Sequence, residues 1–144
     1  MPRTAALRAS KPLKIYFDGG ARPNPGPIEV AVVVRGQTTY FDDLGKGSSS
    51  DAEWLALLKA LDVAQALGIA CFDLLGDSRS IVDQANGTVP CRTSSARAHL
   101  ERFRQTSTLI APRRLRWIPR HQNLAGIALD RRRDRQSWSM DPKV

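Results

Sequence analysis

The sequence predicts an α/β fold: a mixed five-stranded sheet flanked by helices, the first three strands antiparallel and strands one, four and five parallel. Three observations lead there. Residues 13–41 hold three strand-like runs joined by tight connections, as in an antiparallel meander. A long Ala- and Leu-rich stretch without Gly or Pro follows, with the composition of a helix. Short apolar runs then alternate with helical ones, and a strand–helix–strand order lays the two strands parallel.

The first strand alternates Leu13, Ile15 and Phe17 with Lys14, Tyr16 and Asp18, so successive side chains fall on opposite faces. It ends on a carboxylate and enters a loop, Gly19-Gly20-Ala21-Arg22-Pro23-Asn24-Pro25-Gly26-Pro27, able to bring backbone close to a ligand. Asp-Gly after a strand is also a hairpin signature. Residues 28–34 (IEVAVVV) are a nearly continuous β-branched run, expected of a strand buried on both faces, and 38–41 resume as a third strand. Residues 44–50, rich in Gly and Ser, break the pattern.

The clearest helix spans Asp51 to Leu67 and stops at Gly68. Ser50 is its expected N-cap, and Ser50 with Glu53 matches a capping box. Glu53 also leads the stripe Leu57, Ala60 and Ala64, and a carboxylate on an inward face needs a partner. Residues 70–75 read as the fourth strand, followed by Asp77, Ser78 and a short helix from Arg79 to Ala85. Asp77 thus sits at a strand's C-terminal end, where open α/β sheets tend to bind ligands, though Asp also caps helices. A loop over 87–95, a helix over 96–106 with Ala96, Leu100 and Phe103 on one face, a strand over 114–118 and a helix from about Leu124 to Arg133 complete the chain.

The 144 residues fit one domain, expected at 13–136 between a basic tail (1–12) and a C-terminal tail (137–144). An apolar content of 42% with 25% charged residues argues against wholesale disorder. Apolar runs are too short to span a bilayer and no signal segment opens the chain, so a cytoplasmic protein without membrane attachment is expected. Cys71 and Cys91 lack metal or redox spacing and read as idle or buried thiols. Twenty-two Lys and Arg against 14 Asp and Glu give a net charge of +8, which points to a polyanionic partner, nucleic acid first.

If strands one and four are neighbours with the long helix packed on them, Asp18, Glu53 and Asp77 converge. Three acids without a compensating Lys make a poor core but a good seat for hard divalent cations such as Mg²⁺. Two ions roughly 4 Å apart can activate a water and stabilise the departing oxygen in phosphodiester cleavage.

With these residues in view, the chain resembles the ribonuclease H family, type I, in a compact form. The resemblance rests on Tyr16-Phe17-Asp18-Gly19-Gly20 with Asn24-Pro25-Gly26-Pro27, on Asp51-Ala52-Glu53 heading a Leu-rich helix, and on Gly76-Asp77-Ser78 before Ile81-Val82-Asp83-Gln84. It covers about residues 13–133 and implies endonucleolytic cleavage of the RNA strand of an RNA–DNA hybrid by a monomer. Asp18, Glu53 and Asp77 are then ligands of two Mg²⁺ ions, with Mn²⁺ as a substitute. Gly19, Gly20, Asn24, Ser50 and Ser78 are implied substrate contacts, and Arg120 a phosphate contact. His121 lies where relatives carry a His that aids proton transfer or product release. Ser48-Ser49-Ser50 stand where many relatives have Thr-Asn-Asn. The family's fourth acid usually follows an Asn near the start of the last helix, but Asn123-Leu124-Ala125-Gly126-Ile127 offers none there. Asp130, one turn on, is the candidate replacement, catalytic and metal-binding; the alternative is an ion pair with an Arg of the last helix. Two other readings keep the fold: a nuclease acting on duplex RNA or DNA, and a non-catalytic nucleic-acid-binding module.

Overall fold

The fold is built on β1 (Leu13–Ala21), where alternation sends Ile15 and Phe17 into the main core and Tyr16 to the opposite face. A computed structural model describes residues 11–139, so the first ten positions of the expected N-terminal tail lie outside the described residues. β2 (Gly26–Val34) and β3 (Gln37–Phe41) continue from β1 as an antiparallel meander. β5 (Phe72–Gly76) pairs parallel with β1, and β6 (Arg114–Trp117) pairs parallel with β5. The order β3-β2-β1-β5-β6 is the predicted mixed five-stranded sheet. A two-residue strand, β4 (Lys46–Gly47), pairs with the start of β2 off this path. Two residues carry no readable alternation, and the sequence gives no sign of it.

The two faces of β2 explain its unbroken apolar run. Val30, Val32 and Val34 join the main core under α1 (Ser49–Ala66), while Ala31 and Val33 meet Ala125 and Leu129 of α4 (Leu124–Ser139). The main core also takes in Trp54, Phe17, Phe72, Leu57, Leu61 and Leu74, all essentially inaccessible. Each such side chain contributes roughly 1.5–3 kcal/mol of burial. α2 (Arg79–Asn86) ends at Gly87, whose φ of 79° suits its left-handed cap position. α3 (Ser94–Ser107) lays Phe103 against the core and packs beside α1. Cys71 and Cys91 are free thiols, and Cys71 is exposed rather than buried.

Two boundaries differ from expectation. The N-cap of α1 is Ser48, not Ser50: its hydroxyl accepts from the Asp51 backbone N–H, and the Asp51 carboxylate accepts from the Ser48 backbone N–H, closing a capping box. The helix therefore starts two residues earlier, Ser50 falls in its first turn, and Glu53 is released from any capping role. α4 runs on through Ser139, past the expected end near Arg133. Arg132 pairs with Asp42 and Arg133 with Glu29, which ties the helix just before this extension to the β2–β3 hairpin.

Among the described residues no helix is long and apolar enough to cross a membrane.

Candidate active site

Parallel pairing places the first and third acids together. Tyr16 is in register with Leu75, so the same spacing carried two residues further sets Asp18 beside Asp77. Asp18 is 3% exposed, and Asp77 follows directly on β5 with its side chain largely covered. The cap of α2 is Ser78, whose hydroxyl accepts from the Ile81 N–H, so the Asp77 carboxylate is left for other work.

The second acid arrives from α1. Glu53 Oε1 accepts from the Gly19 backbone N–H at 2.7 Å, which fixes the carboxylate against the end of β1. A Cβ at Gly19 would collide with the Ala52 carbonyl oxygen, so only glycine permits this approach of helix to strand. Among the described residues, Asp18, Glu53 and Asp77 each offer an oxygen within 4.8 Å of the others. Three oxygen donors at this spacing fit a hard divalent cation, and three carboxyl groups so close need a proton or a positive partner among them.

The electrostatics register that need. Burial, then the neighbouring Asp18 charge, push the Glu53 carboxyl well above its ordinary range. Burial likewise raises Asp18, with Arg120 opposing. Burial works against the Arg120 guanidinium, yet Asp18 and Asp77 outweigh it and hold its pKa above the usual value.

Arg120 lies inside the cluster. It extends from a 3₁₀ turn (Arg120–Gln122), with Nη1 2.8 Å from Asp18 Oδ1 and 2.9 Å from Asp77 Oδ2. Its Nη2 donates to Asp130 Oδ1 at 3.1 Å, so Asp130 meets the three acids through this guanidinium. Asp130 is otherwise half exposed, with Arg133 of its own helix 3.8 Å away. His121 is exposed on the same turn.

Two positioning residues were not singled out from sequence. Asn123 is fully buried; its Nδ2 donates to the Phe17 carbonyl and to Asp77 Oδ2, both at 3.0 Å, while its Oδ1 accepts from the Ala125 N–H. It thereby ties β1, Asp77 and the start of α4 together. A lone Asn before a helix reads as a cap, and that signal alone did not reveal its reach. Trp117 donates from Nε1 to the Asp77 carbonyl at 3.0 Å, and the Arg79 guanidinium lies 4.0 Å over its ring.

The remaining expected contacts stand on the elements that carry the acids or in the loop that follows β1. Gly19 and Gly20 continue β1 past Asp18, and Asn24 in the next loop accepts from the Ser49 N–H through Oδ1, latching that loop to α1. Ser50 lines a groove of about 640 Å³ between the starts of α1 and α3, with Ser80, Thr93, Ser95 and Arg92. There Asp51 accepts from Ser95 and meets His99 Nε2 at 3.0 Å; the Ser95 hydrogen bond leads in drawing its pKa down to about 2.

The sequence and the fold have counterparts among known proteins. A family model described as reverse transcriptase-like matches residues 17–131. A ribonuclease HI of Halobacterium salinarum is 33% identical over 125 residues, 80% of this chain and 63% of that protein, so the chain spans somewhat under two thirds of that relative's length. The crystal structure of RNase H1 from the same archaeon superposes with a TM-score of 0.76 at 28% identity, covering 83% of this chain and 94% of that one. LC11-RNase H1, solved in complex with an RNA/DNA hybrid, gives a TM-score of 0.71 at 26% identity over 78% of this chain and 88% of its own.

Proposed function

Because the chain belongs to the ribonuclease H family, we propose that it is a divalent-metal-dependent endonuclease that hydrolyses the RNA strand of RNA–DNA hybrids. The observation that carries this reading is the convergence of Asp18, Glu53 and Asp77, from three separate elements, within 4.8 Å. These residues would hold Mg²⁺, with Mn²⁺ as a substitute. When bound, the ions supply a lowered pKa for the attacking water and charge neutralisation at the departing oxygen.

The chain's own groups perform the rest. The Gly19 N–H fixes Glu53, while Asn123 and Trp117 hold Asp77 by side chain and backbone, so the carboxylates are set before substrate arrives. A hybrid differs from DNA by its 2′-hydroxyls, which short polar groups can bond. The backbone of Gly19 and Gly20, with Asn24, Ser50 and Ser78 around the acids, is the proposed reader of that strand. Using Asn24 Oδ1 to latch α1 leaves its amide group to donate. His121, exposed beside Arg120, is the proposed proton carrier at neutral pH. The net charge of +8 supplies non-specific attraction to phosphates.

The test is strand-specific. With each strand of a hybrid labelled in turn, Mg²⁺ should promote internal cuts in the RNA strand only, and duplex RNA and duplex DNA should stay intact. Cutting of either duplex at a comparable rate would move the protein to a different substrate class.

A further inference from the structure

The seat taken by Arg120 is constructed on both sides. Nη1 bonds one oxygen each of Asp18 and Asp77, and Nη2 reaches outward to Asp130. Behind it stands Gly126, in the first turn of α4. A Cβ there would lie 2.7 Å from Nη1 and 2.8 Å from Cζ. Gly126 is not among the glycines with positive φ, so the backbone does not call for glycine. Glycine weakens a helix relative to alanine, and space for the guanidinium is what it provides in return. The next residue, Ile127, is apolar where the sequence resemblance leads one to expect an acid. Relative to that pattern the start of α4 has one carboxylate fewer, and Gly126 beside that position is where the Arg120 guanidinium lies.

We infer that Arg120 is a resident cation which competes with a divalent ion for the Asp18–Asp77 side of the site, with Gly126 providing the room and Asp130 the outer tether. The inference rests on the proposed metal-dependent reading. With Arg120 seated, the oxygens it bonds are engaged by charge-assisted hydrogen bonds, and the chain takes one ion. A second ion would need those oxygens freed of the guanidinium. Arg120 is nearly half exposed, so its withdrawal toward a phosphate is sterically open.

Calorimetric titration of the full chain with Mn²⁺, without nucleic acid, tests this in wild type, Gly126→Ala and Arg120→Ala. Gly126→Ala is the decisive variant, because it keeps every charge and displaces the guanidinium by volume alone. The expected result is one ion per wild-type chain and two in either variant. The ion shared with wild type should bind roughly tenfold tighter once the competing ion pair is gone. Stoichiometry and affinity unchanged in Gly126→Ala would overturn the competition, even if Arg120→Ala bound more tightly through its lost charge. Absence of Mn²⁺ binding by all three proteins would instead overturn the metal reading itself, and this inference with it.

Discussion

Glu53 shows how a single side chain couples fold to chemistry. It stands on the first turns of α1 with Gly19 as hydrogen-bond donor, and burial together with Asp18 raises its pKa well above the ordinary 4.5. A carboxylate whose pKa is raised in the folded state contributes stability below its unfolded pKa and loses it as pH climbs through the folded value. The metal-free protein should therefore lose stability from about pH 4.5 upward, as Glu53 and Asp18 are forced to ionise side by side. Glu53→Gln should remove part of that loss and raise the metal-free Tm by several degrees at mildly alkaline pH. Thermal melts with and without Mg²⁺ check it: the ion should stabilise wild type far more than the variant. A variant that melts below wild type without metal would mean Glu53 is held by partners that favour its charge.

Among the elements, α1 has the most consequential start. The three serines before it offer three possible caps, and sequence alone favours Ser50 because Glu53 completes an S-x-x-E pattern with it. The structure uses Ser48 with Asp51, an equally valid box two residues earlier. Local propensity does not separate the two; the packing of Ala52 on Gly19 does, by setting where the helix must begin. Ser48→Ala should cost about 1 kcal/mol in chemical denaturation, whereas Ser50→Ala should stay within about 0.5 kcal/mol. A larger loss in Ser50→Ala than in Ser48→Ala would return the cap to Ser50. Elements with a strong period were legible in this way to within a few residues: β1, β2, α1 and the parallel β5. What escaped depends on contacts distant in sequence. Asn123 spans from α4 to Phe17, and Arg120 reaches the acids only because the turn after β6, the end of β5 and Gly126 meet in space. No window of neighbouring residues encodes that meeting.

At the scale of the whole molecule, the sheet explains why the three acids were readable at all. Parallel pairing of β1 with β5 fixes Asp18 beside Asp77, and α1 can cover that junction in few ways, so the order of motifs along the chain already implies their convergence. The fourth position was not readable, because a missing acid leaves open what replaces it, and here a guanidinium stands nearby. In the proposed function this carboxylate cluster drives hydrolysis of the RNA strand. Its most direct test is cleavage of an RNA–DNA hybrid under saturating Mg²⁺ by wild type and Asp77→Asn, with hybrid binding measured on the same preparations. The variant should bind the hybrid as well as wild type but cut it at least about a thousandfold more slowly, since it loses a carboxylate charge at the reacting centre. Cutting by Asp77→Asn at the wild-type rate, or hybrid binding without cutting by the folded wild type, would contradict it.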